Sequence, residues 1–362
     1  MSKGEAMIFD HPEFDDHEQV AFVRDSASGL RAVIAIHLVR GKTAGGGVRF
    51  RPYPTDDAAL TDVLRLSAAM TYKMALAGMT VGGAKSVIIG DPRRDKTPEL
   101  LAAFGRAVDR LGGRYTCGPD VGTDGSDMDQ IAQVTSHVAG RDSGAGSTAP
   151  PTALGVFHGL EATARAAFGR SESIAADAAY PATDLSGLTV AVQGIGGVGG
   201  HLVDHLVAAG ATVSVADVDQ GAVAAVRARH PQVTVVDPSE ILFADVDLIS
   251  PNAVGGVLDA QSVPRIRARA ICGSANNQLA HPEIGELLAT SGITWAPDYV
   301  VSSGGAIAGV CEIGGITPAE RDAKIAGIGV TTFAILEEAR TTGESAEVVA
   351  RRHGRALLGL SL

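Results

Sequence analysis

The stretch TVAVQGIGGVGGHLVDHL, residues 189–206, decides the fold of the second half of the chain. It begins with a short apolar run and continues through glycines in the spacing GxGxxG into a helical pattern that includes Leu202 and Leu206. Further short apolar runs alternate with helical patterns downstream, at 212–216, 233–236, 245–250, 269–272 and 293–296. This alternation predicts parallel strands joined by crossover helices, which is an α/β fold of the Rossmann type.

The glycines of this stretch, Gly194, Gly196 and Gly199, match the pattern of a dinucleotide-binding turn. Glycine allows a tight turn and a close approach of backbone to a pyrophosphate, whose charge is favoured at a helix N-terminus. Asp217 ends the next strand, where an acid that binds a ribose 2′-hydroxyl is expected, and no arginine follows it to hold a 2′-phosphate. A glycine turn without a ligand is the alternative, but strand, helix and acid are in register. The pattern predicts NAD as cofactor rather than NADP.

Composition and charge exclude several classes of protein. The chain has 362 residues, 45% of them hydrophobic, and its formal net charge of −11 disfavours nucleic-acid binding. No apolar run approaches the length of a membrane span, so a membrane-spanning protein is not expected. The three cysteines, Cys117, Cys272 and Cys311, are far apart and form no CxxC pair, so no disulfide framework or zinc site is expected. No metal-protease HExxH or hydrolase GxSxG motif occurs. We expect a cytoplasmic, metal-free enzyme whose partners are small molecules and other copies of itself.

The length predicts two domains. We assign residues 1–150 to an N-terminal α/β domain that binds substrate and carries the catalytic residues, and residues 151–330 to the Rossmann domain. The helical segment 331–362 is free to pack back on the first domain. Residues 171–184 are expected to form a surface loop, and the active site is expected in the cleft between the two domains.

Local patterns predict the elements of the first domain. Apolar runs at 18–25 and 30–39 flank the turn SASG and indicate a β-hairpin. The segment GKTAGGGVRF is expected to be a flexible glycine turn. Thr55 caps a helix to about Ala77, Val87–Ile89 is a short buried strand, and Thr97 opens another helix. Asp120 then falls in the loop CGPDVGTDG.

Two lysines twelve residues apart suggest a site for an anion. Lys73 falls in the last turns of the predicted helix, where a cation that compensates the helix dipole is the simpler interpretation. Lys85 follows Gly82 and Gly83 and leads into an apolar strand, so it is a candidate acid–base group beside a glycine-lined surface. Asp120 is either a turn residue or the third member of a catalytic cluster.

Six further blocks occur in order along the chain: GGGVR (45–49), MTYK (70–73), VGGAKSVIIGDP (81–92), PDVGT (119–123), GSANNQL (273–279) and APDYV (296–300). With the GxGxxG turn, these blocks resemble the leucine, phenylalanine and valine dehydrogenases of the glutamate dehydrogenase superfamily. The resemblance extends from about residue 38 to residue 310.

The resemblance implies reversible oxidation of an L-amino acid to a 2-oxo acid, with release of ammonium and reduction of NAD. It implies that Lys73 binds the substrate carboxylate, that Lys85 activates water, and that Asp120 interacts with the substrate amino group and relays protons. The resemblance also implies that a further set of residues contacts substrate: Gly45, Gly46, Gly47, Gly118, Ser302, Ala306 and Gly309. Those near the cofactor are Thr152, Gly194, Gly196, Gly197, Val198, Gly199, Asp217, Ala275 and Asn276. Relatives are homo-oligomers, so a homo-oligomer is expected.

Two departures from the family pattern bear on function. Ser302 replaces an asparagine that contacts substrate in relatives. Four pocket positions, Gly45, Gly118, Ala306 and Gly309, carry smaller residues than leucine dehydrogenases do, which favours an aromatic substrate such as phenylalanine or tryptophan. Neighbouring side chains that fill the space are the alternative, with a leucine or valine substrate. Two further alternatives are an NAD-dependent enzyme with a different substrate and a catalytically weak NAD-binding protein.

Overall fold

A computed structural model describes residues 8–144, 146–169 and 185–360. The polypeptide divides into two compact units. The first contains the chain up to Ser147 together with Ala308–Ile316, and the second contains Thr148–Ile307 together with Thr317–Leu362. The loop predicted at 171–184 lies outside the described residues.

The first unit is a mixed sheet with helices on both faces. Its strands are β1 (Gln19–Asp25), β2 (Leu30–Leu38), β3 (Ala44–Arg51), β4 (Gly82–Ile89) and β5 (Tyr115–Pro119). Its helices are α1 (Asp56–Leu76), α2 (Pro92–Asp95), α3 (Pro98–Asp109) and α4 (Gly125–Ile131). The strand order is β1-β2-β4-β3-β5, in which β1, β2 and β4 pair antiparallel while β3 pairs parallel with both β4 and β5. The predicted hairpin is confirmed as β1 and β2.

The prediction of a flexible turn over GKTAGGGVRF is wrong, because most of this segment is strand β3 in the interior of the sheet. The glycines there are required by close backbone approach rather than by flexibility. A Cβ at Gly46 would lie 1.7 Å from the carbonyl oxygen of Ala84 on β4. At Gly83 of β4, a Cβ would lie 2.0 Å from the backbone nitrogen of Thr71 on α1. Glycine in a strand interior thus marks close contact with neighbouring backbone.

The two faces of this sheet bury different sets of side chains. Strand side chains alternate between faces, so Gly45, Gly47 and Arg49 share one face of β3 while Val48 and Phe50 share the other. Val48 and Phe50 are fully buried in the core formed with α3 and α4. On the opposite face, Val33, Ala35 and Val87 pack with Ala59, Val63 and Leu64 of α1. Lys85 also lies on the face that α1 covers, because it is two residues from Val87 in strand β4.

Helix α1 begins as the sequence predicts. Thr55 is its N-cap, and its side-chain oxygen accepts a hydrogen bond from the backbone N–H of Ala58. The helix ends before Gly78, whose φ of +67° favours glycine. Lys73 is therefore in the last turn, as predicted. Strand β4 is longer than predicted and already contains Lys85, which does not precede the strand as the sequence suggested.

The second unit is a parallel sheet between helices. Its strands are β6 (Thr189–Gln193), β7 (Thr212–Ala216), β8 (Thr234–Val235), β9 (Leu248–Pro251), β10 (Ala270–Ile271) and β11 (Thr294–Trp295). The helices are α5 (Ala149–Phe168), α6 (Gly197–Ala208), α7 (Gln220–Arg229), α8 (Ile284–Thr290), α9 (Asp298–Val301), α10 (Gly304–Ile313), α11 (Pro318–Thr342) and α12 (Ala346–Leu358). Helix α10 continues from the second unit into the 308–316 segment of the first.

The strand order is β11-β10-β9-β6-β7-β8, with every pair parallel. Each of the six predicted strands is present within a few residues of its expected place. The chain starts at β6, extends to one edge through β7 and β8, and returns to build the other half from β9. The carboxyl ends of β6 and β9 thus flank the point where the strand order reverses, which is where open α/β sheets bind ligands.

The C-terminal helices belong to the second unit. Helix α11 packs along α5 within that unit. The guanidinium of Arg165 on α5 lies 5.4 Å from the ring centroid of Phe333 on α11, and Ile328 fits against Gly155. Helix α11 also crosses residue 330 without interruption. In the part of the chain that the structure describes, no helix combines the length and apolar character needed to span a membrane.

Candidate active site

The first unit brings two predicted catalytic residues into direct contact. Lys85 on β4 donates a hydrogen bond from Nζ to Oδ1 of Asp120 over 2.9 Å, and Lys85 is only 5% exposed. Asp120 immediately follows β5, and β3 lies between β4 and β5 in the sheet. On β3, a Cβ at Gly47 would lie 2.7 Å from Cβ of Asp120 and 3.1 Å from Nζ of Lys85. Glycine at position 47 therefore leaves the room that this ion pair occupies.

A third charged residue belongs to this cluster and was missed by the sequence reasoning. Arg49 on β3 donates from Nε to Oδ2 of Asp120 over 2.7 Å, and its side chain is buried. The signal was present in the quoted block GGGVR, because Arg49 shares the strand face of Gly45 and Gly47. A turn has no such alternation of faces, so the position of Arg49 could not be deduced while the segment was predicted to be a turn.

The two cations determine the ionisation of Asp120. Burial alone would raise the pKa of this carboxyl, but the charges of Lys85 and Arg49, each with a hydrogen bond to it, outweigh burial. The pKa of Asp120 therefore lies well below its ordinary value, and the group is a carboxylate at neutral pH. The backbone N–H of Asp120 is in turn bound by Oγ1 of Thr123, at 3.0 Å. Asp120 is therefore held both through its carboxylate and through its backbone N–H.

Lys73 lies on the same side of the sheet as Lys85. It is half-buried in the last turn of α1, two residues beyond Thr71, whose backbone nitrogen packs on Gly83. Gly83 and Lys85 are two residues apart in β4 and so lie on the same face of the strand, the face that α1 covers. Helix and strand thus present both lysines to the same side of the first unit.

The predicted pocket glycines have different surroundings. A Cβ at Gly118 would lie 3.7 Å from the carbonyl oxygen of Ala139, and one at Gly309 would lie 3.8 Å from Cβ of Ala139. Both distances are ordinary van der Waals contacts, so close packing does not require glycine at either position. A Cβ at Gly45 would approach the mobile end of Met74, at 3.2 Å from Cε. Ala139 was not singled out from the sequence, because it becomes a neighbour of Gly118 and Gly309 only in the folded unit.

In the second unit the glycine turn has the geometry of a phosphate cradle. Gly194 adopts φ +82°, and a Cβ at Gly199 would lie 1.9 Å from the carbonyl oxygen of Gly194. Gly196 and Gly197 are exposed, and a Cβ at Gly196 would meet nothing within 4 Å. Helix α6 begins here with no side-chain hydrogen bond at its N-cap, while Val198 is half-buried in its first turn. Backbone N–H groups at such an end favour an anion.

Asp217 follows β7 and supports this turn. Its Oδ2 accepts a hydrogen bond from the backbone N–H of Ile195 at 2.7 Å, and its Oδ1 accepts one from Asp219 at 2.9 Å. Each carboxylate oxygen has a further lone pair for a hydroxyl group. The acid therefore lies beside the glycine turn, in the place predicted for a ribose contact.

The turns after β9 and β10 lie at the carboxyl edge of the sheet, on the other side of β6 from β7. Asn252 accepts hydrogen bonds at Oδ1 from the backbone N–H and the hydroxyl of Ser274, at 2.9 and 2.7 Å. The backbone N–H of Ala275 donates to the carbonyl of Pro251 at 3.0 Å, and Asn276 next to it is exposed. The two residues carried over from the family, Ala275 and Asn276, thus lie on a turn fixed to β9.

The N-terminus of α5 connects other predicted residues. A Cβ at Gly305 would lie 2.5 Å from Oγ1 of Thr152, and a Cβ at Gly197 would lie 3.3 Å from Cβ of Ala149. The Thr152 hydroxyl donates to the carbonyl of Thr148 at 2.8 Å. Thr152 therefore has the first turn of α10 on one side and the glycine turn close by. Ser302 and Ala306 belong to the same unit as Thr152, whereas the other predicted substrate-contacting residues belong to the first unit.

The surroundings of this turn fit the predicted cofactor, NAD. The exposed glycines Gly196 and Gly197 allow close approach to a pyrophosphate, the first turn of α6 presents its N–H groups, and Asp217 is available to a ribose. Residues Gly194–Gly199 would hold the pyrophosphate. Ala275, Asn276 and Thr152 would lie along the nicotinamide half.

A buried Lys–Asp pair in one unit and a dinucleotide-binding sheet in the other define a dehydrogenase of small, charged substrates. Comparison with known proteins agrees: residues 17–137 match the family model described as Glu/Leu/Phe/Val dehydrogenase, dimerisation domain. A valine dehydrogenase from Streptomyces virginiae is 44% identical over 338 residues, which are 92% of this chain and 91% of that protein. A leucine dehydrogenase from Geobacillus stearothermophilus is 43% identical over 303 residues, covering 83% and 79% of the two chains.

A similar fold is found in the crystal structure of L-tryptophan dehydrogenase from Nostoc punctiforme. The TM-score is 0.78 with 37% identity, and the match covers 95% of this chain and 96% of that one. The chain therefore belongs to the Glu/Leu/Phe/Val dehydrogenase family and is an amino acid dehydrogenase.

Proposed function

We propose that the protein catalyses the reversible oxidative deamination of an L-amino acid to a 2-oxo acid and ammonium, with NAD as hydride acceptor and an aromatic side chain preferred. The observation that carries the proposal is the buried Lys85–Asp120 ion pair beside Gly47. Burying two charges is expensive unless they are paired, and such sites are frequent in catalysis. Here the pair occupies the room that Gly47 leaves by having no side chain.

The chain's own residues divide the work. Lys73 neutralises and orients the substrate carboxylate. Lys85 and Asp120 handle protons, because Nζ and Oδ1 are 2.9 Å apart and a proton can pass directly between them. In the deamination direction, Lys85 first passes a proton to Asp120 and then, as the neutral amine, takes a proton from the water that attacks the imino carbon. Asp120 gives its proton to the substrate nitrogen, which leaves as ammonia and is protonated to ammonium. Bound NAD supplies the acceptor for the hydride that leaves Cα.

The prediction of an aromatic substrate is supported by the surroundings of Gly118 and Gly309. A Cβ at either position would make only an ordinary contact with Ala139, at 3.7 or 3.8 Å, so each glycine leaves room for at least a methyl group. Removing methyl groups from a pocket favours larger substrates and leaves smaller ones poorly packed. We propose phenylalanine or tryptophan as the preferred substrate.

A branched-chain substrate is the second candidate. It is favoured by the 43–44% identity to a leucine and a valine dehydrogenase. The two candidates differ in whether the space beside Ala139 is occupied by the substrate side chain. A panel of valine, leucine, phenylalanine, tyrosine and tryptophan, with the corresponding 2-oxo acids and ammonium, separates them by kcat/KM.

Ser302 motivates a third possibility, a protein that binds NAD but is catalytically weak. Ser302 is buried at the end of α9, where its backbone N–H donates to the carbonyl of Asp298 at 2.9 Å. We expect its hydroxyl to contact substrate directly or through water. Activity at an ordinary dehydrogenase rate excludes the third possibility.

The test is NADH formation at 340 nm with ammonium measured in the same samples. We expect equal amounts of both products, and a fall of about 10²–10⁴-fold in kcat for Lys85→Ala. Exposed Lys42 offers a matched control, because Lys42→Ala removes the same charge elsewhere in the first unit. If no amino acid in the panel yields NADH, or if Lys85→Ala retains wild-type activity, the proposal is wrong.

The homo-oligomer and the cytoplasmic location stay predictions. The matched family model is described as a dimerisation domain, which supports assembly of copies of this chain. Size-exclusion chromatography with light scattering measures the state directly.

A further inference from the structure

The Asp120 carboxylate has two cationic partners, Lys85 and Arg49, and only Lys85 exchanges protons in the proposed reaction. Lys85 binds Oδ1 and Arg49 binds Oδ2, so each oxygen has its own charged donor. The Arg49 contact of 2.7 Å is at the short end for a charge-assisted hydrogen bond. The Asp120 carboxylate thus lies between the two cations, with one oxygen on each.

Arg49 is itself held from behind. Its Nη1 donates to both oxygens of Asp62 on α1, at 3.3 and 3.2 Å, and Tyr53 donates from Oη to Oδ2 of Asp62 at 2.6 Å. Burial and the hydrogen bond to Asp62 raise the pKa of Tyr53, which keeps the phenol a donor. The contacts form one chain, from Tyr53 through Asp62 and Arg49 to Asp120.

The planar guanidinium suits this position for a geometric reason. One edge, at Nε, binds Asp120, while Nη1 binds Asp62, so a single rigid group joins a strand end to a helix. A lysine ammonium carries the same charge without this fixed fork. Burial alone would lower the pKa of Arg49, but the two carboxylates outweigh burial and raise it, so the guanidinium remains charged.

We propose that Arg49, braced by Asp62 and Tyr53, is a positioning residue that holds the Asp120 carboxylate in its orientation toward Lys85. This role rests on the proposed function, in which Asp120 and Lys85 exchange protons. Arg49 acts through Asp120 and needs no contact with substrate. The charged and titratable groups that face Asp120 are Lys85 from β4, Arg49 from β3 and the buried Tyr115 from β5.

The test uses Arg49→Gln and Arg49→Lys in the full chain, with two measurements. The first is the steady-state kcat for the best amino acid of the panel. The second is the titration of the Asp120 carboxyl by NMR of protein ¹³C-labelled at the aspartate carboxyls, assigned by the signal that Asp120→Asn loses. Arg94→Gln is the matched control, because Arg94 Nε also binds an aspartate at 2.7 Å, but at the exposed pair with Asp95.

In Arg49→Gln we expect the Asp120 titration midpoint to rise by about one to three pH units, because one of two compensating charges is lost. We expect kcat to fall by about 10²-fold through misorientation, with NADH affinity unchanged. Arg49→Lys keeps the charge, so the titration should stay near that of the wild type while kcat remains low. Arg94→Gln should change neither quantity.

Three results overturn the inference. They are an unchanged Asp120 titration in Arg49→Gln, a kcat near the wild-type value in that variant, or a wild-type kcat in Arg49→Lys. If Arg49→Gln does not fold, Tyr53→Phe and Asp62→Asn decide, since each weakens the brace from behind. Both should lower kcat in graded fashion, and wild-type kcat in both contradicts the role. If the wild type forms no NADH with any amino acid, the proposed function fails, while the NMR titration still tests whether Arg49 controls Asp120.

Discussion

A single methyl group at Gly47 should impair catalysis more than it impairs folding. In Gly47→Ala the new Cβ would lie 2.7 Å from Cβ of Asp120, 2.9 Å from the carbonyl oxygen of Pro119 and 3.1 Å from Nζ of Lys85. Carbon atoms prefer separations of about 3.5–4.0 Å, so Asp120 must move by roughly 1 Å. A misplacement of about 1 Å at a catalytic group costs about 10²-fold in rate. We therefore expect kcat to fall by about that factor.

The neighbouring glycines provide controls with the same chemical change. In Gly118→Ala the new Cβ meets Ala139 at an acceptable 3.7 Å, and in Gly45→Ala it meets the flexible end of Met74. Both variants add the same methyl group without a contact to the Lys85–Asp120 pair, so each should lower kcat less than Gly47→Ala does. Gly47→Ala differs from them because its new neighbours are the reacting pair and a backbone carbonyl.

The assay is initial-rate NADH formation for the three variants, with NADH affinity from fluorescence and thermal unfolding as checks on folding. Gly47→Ala should retain NADH affinity, since its mutation lies in the first unit and the glycine turn lies in the second. If Gly47→Ala keeps a kcat like that of Gly118→Ala, the Lys85–Asp120 pair is not the proton-handling group.

Other predictions concern stability, cofactor and substrate. Burial and the nearby His37 lower the pKa of His17 from 6.5 to about 4, so unfolding takes up a proton between these values. Stability of the first unit is complete above pH 6.5 and should fall by about 3 kcal/mol as pH drops to 4. His17→Gln should flatten this loss in hydrogen exchange of β2 and α1 peptides, whereas His201→Gln, at a half-exposed histidine, should not. Gly199→Ala places a Cβ 1.9 Å from the carbonyl of Gly194 and should weaken NADH binding about tenfold or more by titration. Gly309→Val should fill the space beside Ala139 and raise kcat/KM for leucine relative to phenylalanine by about tenfold or more; an unchanged ratio contradicts the proposed pocket.

Where the signal was local, the sequence predicted the structure well. Thr55 caps α1, Gly78 follows its end, and the six short apolar runs of the second half are all strands. Asp217 occupies its expected place because a strand, a glycine turn and a helix fix the distance to the next strand end. These features depend on neighbours within about one βαβ unit, and the periodicity records them directly.

Where the signal depended on distant neighbours, the sequence misled or was silent. The glycines of β3 indicate a turn when they are considered alone. The reason for glycine inside this strand appears only in the fold, where the backbone of β4 lies against Gly46 and Asp120 lies against Gly47. The same error hid Arg49, whose direction depends on strand alternation. The C-terminal helices carry no local mark of the surface they cover. The packing of α11 on α5, which includes the contact of Ile328 with Gly155, appears only in the fold.

The sequence by itself determined the family resemblance, the dinucleotide turn and the identities of Lys73, Lys85 and Asp120, because motifs of fixed spacing survive without a fold. Tertiary structure alone decided that Lys85 and Asp120 meet across Gly47 and that Arg49, Asp62 and Tyr53 stand behind them. The physical reason is that β3 separates β4 from β5 in the sheet although it precedes both in the chain. Strand order makes hydrogen-bonded neighbours of Lys85 and Asp120, which are 35 positions apart in the chain, and of Arg49 and Asp120, which are 71 positions apart.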